Sequence, residues 1–189
     1  MDEIQFTRDL LVSNKELVYT GIFKLDDLYK DINRVVEARG YTQREKRSEE
    51  AVAEAGRKIY LELRPYKFFT PEIKLLIKIK IDLGPVSESK HQGELYQRGD
   101  VRIVLDAWYM TNYRKRWYNK PLTYFLKGVI NKYLYQWPEE KDSREMLVSD
   151  AAAIYAVIKK LFRTYQPEAK KYSSEEEVIQ EVEKEIGKG

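Results

Sequence analysis

The sequence predicts an α+β protein, in which an antiparallel sheet of about 4–5 strands carries helices on its apolar face and a helical extension follows at the C-terminus. Apolar and polar residues alternate with period two in segments 59–64, 73–83 and 101–110, which is typical of half-buried strands. Segments 25–39 and 121–136 instead repeat their apolar residues with the spacing of a helix.

The alternation predicts a sheet with one apolar and one largely cationic face. In segment 73–83 the odd positions hold isoleucine or leucine, whereas positions 74, 78 and 80 hold lysine. We expect helices 25–39 and 121–136 to cover the apolar face, because each fully buried large side chain contributes roughly 1.5–3 kcal/mol before entropy is counted. The cationic face is then the place to look for a binding surface.

Two further connections carry turn signals. The apolar runs Ile4–Val12 and Leu17–Phe23 are separated by Ser13-Asn14-Lys15, which predicts a hairpin. The long polar connection Gly84–Gly99 separates two of the alternating segments, and we expect a small hairpin of its own around Gln92-Gly93.

The first helix has clear ends, and the segment after it is ambiguous. Asp26 or the aspartate after it can cap its N-terminus, and Gly40 is a natural stop. In segment 41–56, Thr42 and Glu45 match a capping box and favour a helix. The polar residues that follow favour a charged loop running into a strand, so both interpretations remain open.

The C-terminal part is predicted to be helical. Pro121 begins the second helix, and a third helix follows from a capping box at Asp142. A short acidic helix begins at Ser174. We therefore divide the chain into an α+β core domain, 1–137, and a helical C-terminal extension, 138–189, packed on the core or on a partner.

The composition excludes several kinds of chemistry. The 189 residues include no cysteine and a single histidine, His91, which excludes disulfides, thiolate zinc sites and cysteine nucleophiles. His91 lies in a polar loop with no carboxylate at metal-ligand spacing. No glycine-rich phosphate loop or dinucleotide fingerprint is present. We therefore predict no catalytic residue, metal or cofactor, and we lean towards a protein that is not an enzyme.

Composition also indicates the setting of the protein. No apolar run approaches the roughly 20 residues of a membrane-spanning helix, and the acidic start Met1-Asp2-Glu3 lacks the apolar region of a secretory signal. We therefore expect a cytoplasmic location and no membrane partner. Abundant lysine, glutamate and tyrosine, without cysteine, suggest a protein from a thermophile.

Charge is unevenly distributed along the chain. Residues 57–137 carry 16 basic and 7 acidic groups, a balance of +9, whereas residues 1–56 and 138–189 each have a balance of −3. This asymmetry indicates an anion-binding face. It is equally compatible with internal pairing, in which acidic helices lie against a basic sheet.

A corner rich in rings and cations follows the last predicted strand. Between Trp108 and Phe125 the chain has seven aromatic rings and four cations, a mixture that can stack on planar ligands and attract anions. Together with the cationic strand face it defines a candidate binding surface. Its residues are Tyr60, Arg64, Lys74, Lys78, Lys80, Arg102, Trp108, Tyr113, Arg114, Lys115, Arg116 and Trp117.

Two carboxylates, Glu62 and Asp106, lie among these cations in the predicted sheet. Two carboxylates on one concave face could act as acid and base. Cross-strand pairing with the cations is the commoner role of such groups, and we favour it.

The run from Thr111 to Leu126 resembles uncharacterised small archaeal proteins. It contains Asn112-Tyr113, Arg116-Trp117, Pro121-Leu122 and Phe125-Leu126 after a strand that starts at Gly99-Asp100. The resemblance covers residues 57–137 and consists of a strand, a Tyr-x-x-Arg-Trp corner and a helix that begins with proline. Such relatives often have an acid where this chain has Asn112. The resemblance implies no activity, cofactor or site.

Three hypotheses of function follow. The first is a non-enzymatic binding or scaffold protein that contacts an anionic partner, RNA or a ribonucleoprotein, through the basic sheet face. The second is a protein-interaction subunit or homodimer that uses the C-terminal helices and the aromatic corner, with no nucleic-acid role. The third and weakest is a ligand-binding or enzymatic cavity between the sheet and helix 121–136.

Overall fold

The computed structural model describes residues 6–53, 56–91, 94–112 and 138–165. Within these ranges the chain forms six strands and two helices, and the predicted α+β class is confirmed. In chain order the elements are β1 (Thr7–Phe23), α1 (Leu25–Ala38), β2 (Glu45–Ala53), β3 (Gly56–Leu63), β4 (Tyr66–Thr70), β5 (Ile73–His91), β6 (Glu94–Thr111) and α2 (Pro138–Thr164).

All the strands belong to one antiparallel sheet. Its order is β1-β6-β5-β3-β2, and the short strand β4 pairs with the start of β5. The centre is the hairpin of β5 and β6, which are 19 and 18 residues long. Their register runs from Ile73 opposite Thr111 to His91 opposite Glu94. This hairpin fixes the relative position of every other strand.

The predicted alternation of faces is confirmed. The apolar face of the hairpin is fully buried, while the opposite face, which we call the outer face, carries most of the charges of these strands. The buried residues of the hairpin's apolar face are Ile73, Leu75, Ile77, Ile79, Ile81, Leu83, Val101, Ile103, Leu105, Ala107 and Tyr109.

Both described helices pack on the apolar face. Helix α1 buries Leu28, Ile32 and Val36, and α2 buries a longer series that includes Leu147 and Ile158. The segment Ala151-Ala152-Ala153 of α2 is also buried, and its small side chains allow the helix backbone to lie close to its neighbours. The predicted cover from helix 121–136 lies outside the described residues. Among the residues described, neither helix combines the length and the apolar character that a membrane span requires.

The ends of α1 are fixed by different parts of the chain. Gly40 has φ +75°, and the amides of Gly40 and Tyr41 donate to the carbonyls of Glu37 and Val36, the pattern of a Schellman C-cap. At the N-terminus the cap residue makes no side-chain hydrogen bond. Instead the buried Gln97 on β6 accepts from the amide of Leu25 at 3.0 Å. The stop at Gly40 is therefore as predicted, whereas the expected aspartate cap is replaced by a residue of the sheet.

The predicted N-terminal hairpin is wrong, because β1 is a single strand that pairs with β6 along its whole length. The register shifts between Leu10 and Val12 and again between Val12 and Lys15. Asn14 has φ +50°, and its amide donates to Asp106 on β6 at 2.8 Å. The turn signal at Ser13-Asn14-Lys15 therefore marks a bulge.

Other boundaries also differ from expectation because strands continue through polar sequence. Residues 45–53 form β2, which resolves the ambiguity of segment 41–56 in favour of a strand. The connection Gly84–Gly99 consists largely of the continued β5–β6 hairpin, whose register shifts between Leu83 and Ser87. The strands lie close together at this bulge, since a Cβ added to Gly99 would lie 2.7 Å from Val86 Cγ1. Helix α2 is described from Pro138, four residues before the predicted capping box at Asp142.

A buried cluster around Asp150 joins α2 to the rest of the core. Asp150, which is 3% exposed, accepts from Tyr41 Oη at 3.0 Å, from Arg39 Nη1 at 3.2 Å and from Lys67 Nζ at 2.5 Å. The Lys67 ammonium also donates to the Arg39 carbonyl and lies 4.4 Å from the centre of the Tyr41 ring. The Asp150 carboxylate thus connects α2 to Arg39 at the end of α1, to Tyr41 just after its C-cap, and to Lys67 on β4.

Tyrosine and phenylalanine side chains attach α2 to β1 and to the start of α1. Phe162 stacks on Tyr19 with ring centres 4.6 Å apart, and the Tyr155 hydroxyl donates to the carbonyl of Glu16. At its C-terminal end the Tyr165 hydroxyl donates to Asp27. These contacts extend along β1, which is an edge strand within the described sheet.

The Asp150 cluster should be the most sensitive polar site of the core. Changing Asp150→Ala leaves two cations near the core without their carboxylate, and we expect the free energy of unfolding to fall by roughly 3–5 kcal/mol. Denaturant unfolding at pH 7 measures this. Glu145→Gln on the same helix breaks only an exposed pair with Lys141 and should change stability by less than about 1 kcal/mol. Equal effects of the two substitutions on the free energy of unfolding would contradict the structural role assigned to Asp150.

Tyr41 should make stability fall in alkaline solution. Burial raises the pKa of its phenol, and the charge and hydrogen bond of Asp150 raise it further. As pH rises, the phenol of the unfolded chain therefore loses its proton before that of the folded protein. The contribution of Tyr41 to the free energy of unfolding is complete below about pH 10 and falls by about 1.4 kcal/mol per pH unit above it. Urea unfolding between pH 9 and 11 should show a shallower decline for Tyr41→Phe. Parallel declines would rule out the effect.

Candidate functional site: a cationic cleft on the outer face

Strand register brings the central part of the candidate surface together. On the outer face Lys78 lies opposite Asp106, and Leu76 lies opposite Trp108. The β3–β5 register ends at Leu63 opposite Ile79, so the next residue, Arg64, lies beside Lys78. A hydrogen bond from the amide of Arg64 to the carbonyl of Arg44, 2.7 Å long, fixes this backbone.

These residues line a cleft of about 110 Å³. We call it the outer cleft, and its lining residues are Arg8, Arg64, Leu76, Lys78, Trp108 and Met110. Arg8 reaches it from β1, where it pairs with Met110 across the ladder. Met110 is 2% exposed and forms part of the apolar floor. The outer cleft thus combines three cations with an indole ring and two apolar side chains.

Lys78 is the least compensated cation of the outer cleft. It makes no hydrogen bond or ion pair with any residue in the described ranges. Burial lowers the pKa of its ammonium; the negative charge of Glu62 acts in the opposite direction, and the positive charges of Lys80 and Arg64 lower it further. A partly desolvated ammonium among other cations favours the approach of an anion.

Glu62 keeps its charge and serves the cleft as a counter-ion. It accepts from Arg64 Nε at 2.5 Å and from the Tyr60 hydroxyl at 3.1 Å. Burial alone would raise the pKa of this carboxyl, but those hydrogen bonds and the charges of Arg64 and Lys78 outweigh burial and lower it. Because the carboxylate is ionised and already bound by its neighbours, it is poorly suited to donate a proton.

Asp106 is likewise engaged. Its Oδ1 accepts from the amide of Asn14 in the β1 bulge, and its Oδ2 lies 3.8 Å from Lys80 Nζ. Both contacts hold strands together. Asp106 is therefore a cross-strand partner of a cation, as favoured from the sequence, whereas Glu62 pairs with Arg64, two residues further along its own segment.

Other members of the predicted surface are paired within the fold. Arg102 Nε lies 2.6 Å from Glu16 Oε1 across the β1–β6 ladder. The Tyr60 hydroxyl is bound to Glu62, and Arg47 lies over the Tyr60 ring, 5.5 Å from its centre. Together with Lys80, these residues form a part of the outer face whose charges are largely balanced within the chain.

Lys74 is enclosed by aromatic rings. Its ammonium lies 4.5 Å from the centre of the Tyr66 ring, 5.8 Å from that of Phe68 and 6.0 Å from that of Phe6. The residue is only 7% exposed. Since its stem and ammonium are enclosed by the fold, Lys74 is an unsuitable contact for an external ligand.

Only part of the predicted binding surface therefore lines the outer cleft. Of its described members, Arg64, Lys78 and Trp108 line the outer cleft, whereas Tyr60, Lys74, Lys80 and Arg102 lie beside it with partners of their own. The candidates Tyr113, Arg114, Lys115, Arg116 and Trp117 lie outside the described residues, so their role stays a prediction, as does the resemblance built on that segment.

Sequence reasoning missed three lining residues, Arg8, Leu76 and Met110. Arg8 was assigned to the first strand of a hairpin, so nothing placed it beside β6. Leu76 and Met110 are, with Val104, apolar residues that interrupt the polar side of β5 and β6. That interruption at adjacent positions of two predicted strands was a usable signal for an apolar patch on the outer face.

Among the described residues, no group of three or more His, Asp or Glu side chains is arranged to hold a metal ion. Comparisons with protein-family models, with curated proteins and with solved structures give no significant match. The roles assigned to residues of the outer cleft are accordingly inferred from distances, burial and charge in this chain.

The electrostatics of Lys78 can be tested directly. Because the charge of Glu62 raises the pKa of Lys78, Glu62→Gln should lower that pKa further. An NMR titration of the lysine side chains measures the change. Glu49→Gln removes the partner of Arg47 on the exposed strand β2. It is the matched control and should leave the pKa of Lys78 unchanged. A higher pKa in Glu62→Gln would refute the assigned role of Glu62.

Proposed function

We propose that this protein is a non-enzymatic binding protein that contacts single-stranded RNA through the outer cleft. The observation that carries the proposal is the meeting of Arg8, Arg64 and Lys78 around Trp108 in one cleft. Guanidinium and ammonium groups bind phosphate, and an indole ring stacks on a base. The combination matches the two chemical parts of a nucleotide.

The size of the cleft favours one unit of a longer chain over an enclosed small molecule. Its volume of about 110 Å³ is well below the roughly 300–1,000 Å³ of pockets that surround drug-sized ligands. Glu62 and Asp106 are occupied by structural contacts, which argues against a pair of catalytic carboxylates. Binding without chemistry is therefore the function that these residues support best.

Single strands fit better than duplexes. The bases of a duplex are stacked on one another and are not available to Trp108, whereas those of a single strand can leave the stack and lie on an aromatic ring. The same cleft is lined by the apolar side chains of Leu76 and Met110. This arrangement suits a flexible strand whose phosphate and base approach the protein together.

Binding should depend on both parts of the cleft. We expect an unstructured RNA oligonucleotide to bind at low salt, with a slope of log K against log salt near about −2 if three cations neutralise phosphates. Lys78→Gln should reduce this slope by about 0.7. Trp108→Leu, which keeps an apolar contact to Leu76, should weaken binding by about 1–3 kcal/mol. Fluorescence anisotropy at several salt concentrations measures all three quantities.

The control is Lys30→Gln, which removes one exposed lysine from α1 on the other side of the sheet. It has the same change of charge as Lys78→Gln and should leave affinity and salt slope nearly unchanged. Failure of the wild-type protein to bind RNA at low salt would overturn the proposed function. Equal losses in Lys30→Gln and Lys78→Gln would show attraction by net charge without a site.

A further inference from the structure

We propose that two copies of this chain associate through their β2 strands, which pair antiparallel with Ser48 of one copy opposite Ser48 of the other. This inference goes beyond the proposed function and does not depend on it. Strand β2 is the last strand of the described sheet and has β3 as its one neighbour there. The residues from Glu45 to Ala51 are all exposed, so the backbone groups on the far side of β2 are accessible to a further strand.

The length and composition of β2 permit such pairing. Natural edge strands avoid association by being very short, by containing proline or by carrying charges. Strand β2 has nine residues and no proline. It does carry many charges, so the question is which charges meet when a second copy is added.

The order of the charges in β2 is complementary to itself. Around its middle the sequence runs Lys46-Arg47-Ser48-Glu49-Glu50, with two cations before the serine and two carboxylates after it. In an antiparallel pair centred on Ser48, Arg47 of each copy lies opposite Glu49 of the other. Opposite charges at such positions stabilise a sheet, whereas like charges destabilise it. Moving the centre by one residue in either direction would place two arginines or two glutamates opposite each other, so the charges favour the Ser48 register over its neighbours.

The ion pair already present in β2 is compatible with this arrangement. Arg47 Nε lies 2.6 Å from Glu49 Oε1 of the same copy, and the two side chains are 57% and 56% exposed. A second copy would bring another carboxylate to each arginine and another guanidinium to each glutamate. The internal pair does not have to break, because the four groups alternate in charge around the centre of the interface.

A bulge at the start of β2 limits the regular part of the interface. The register of β2 against β3 shifts between Glu45 and Arg47, so Lys46 lies in a bulge. Its contact with Glu50 of the other copy is therefore less regular than the contact between Arg47 and Glu49. Because the regular part is short, we expect a reversible dimer with a small interface.

The pairing would join the two sheets without changing the side on which the outer cleft lies. Residues directly opposite each other in an antiparallel pair project to the same face. Arg47 lies opposite Glu62 on the outer face. The outer faces of the two copies would therefore be continuous, with both outer clefts on the same side.

Exchange of charges tests the interface. Sedimentation equilibrium of the full-length protein without RNA should show a dimer that weakens as salt screens the exposed charges. Arg47→Glu should weaken self-association at least about tenfold, because it replaces attraction by repulsion at both copies of this position. Glu49→Arg should do the same. An equimolar mixture of the two variants should recover most of the wild-type affinity, since the acidic edge of one meets the basic edge of the other.

The mixture also distinguishes a lost contact from a lost fold, because misfolded variants would not restore each other. Lys30→Glu is the control, since it makes the same change of charge at an exposed residue of α1 and should leave the dimer unchanged. A wild-type protein that stays monomeric at low salt up to about 1 mM would overturn the inference. A mixture that associates no more tightly than its components would overturn it as well. Neither result would bear on RNA binding, which is measured separately.

Disulfide cross-linking tests the register. The chain contains no cysteine, so Ser48→Cys introduces a single thiol. Directly opposite Cα atoms lie about 4.5–5.5 Å apart, within the range of a disulfide, and mild oxidation should give a covalent dimer. Ala51→Cys would hold its two thiols roughly 20 Å apart in this register and should cross-link far more slowly. Equal rates, or faster cross-linking of Ala51→Cys, would overturn pairing centred on Ser48.

Discussion

Asp150 is the carboxylate on which the arrangement of layers depends. A helix that packs on a sheet through apolar contacts alone can slide and rotate, because dispersion and burial have little directionality. Asp150 removes that freedom, since its two oxygens receive donors from Arg39, Tyr41 and Lys67. Arg39 and Tyr41 follow α1, and Lys67 belongs to β4. One side chain of α2 therefore fixes the position of this helix relative to both α1 and the sheet. Its burial makes each of these bonds costly to leave unmade.

The outer cleft depends on the opposite property of the sheet, which is strict register. Trp108, Leu76 and Lys78 lie together because β5 and β6 pair without interruption from Ile73 to Leu83. Arg64 joins them because the β3 register ends one residue earlier. The other lining residues lie on strands, and Arg64 lies in the two-residue connection between β3 and β4, where its amide is bound to the carbonyl of Arg44, so the geometry of the cleft follows that of the sheet. A preformed cleft of this kind binds with little loss of conformational entropy.

Polar partners divide the outer face into two regions with different chemistry. Around Arg102 and Lys80, carboxylates of the same sheet lie within ion-pair distance. Around Lys78 the nearby carboxylates are Glu62, which already binds Arg64, and Asp106, which lies opposite Lys78 but pairs with Lys80. The excess of basic residues in the central part of the chain thus has two physical consequences. The cations that form ion pairs stabilise the sheet, whereas Lys78 contributes a local positive potential at the outer cleft.

Local patterns predicted much of this molecule, while partners distant in sequence did not. The period-two pattern in segments 73–83 and 101–110 identified the central hairpin and its faces, and Gly40 identified the end of α1. The Asn14 bulge was mistaken for a turn, because a left-handed residue serves both and only pairing with β6 distinguishes them. Gln97 as the cap of α1 and Arg8 as a member of the cleft were also invisible, since each depends on strand order.

The two register shifts in β1 affect how insertions and deletions in this strand can be tolerated. Each shift adds one residue to β1 relative to β6, and together they keep Arg8 and Glu16 on the same face of the sheet. Deleting the one extra residue of a bulge would restore a regular ladder and leave Arg8 opposite Met110 and Glu16 opposite Val104, on the face that they occupy now. A deletion elsewhere in β1 has no extra residue to absorb it and would turn part of the strand over. Single-residue changes of length are therefore compatible with the cleft at the two bulges.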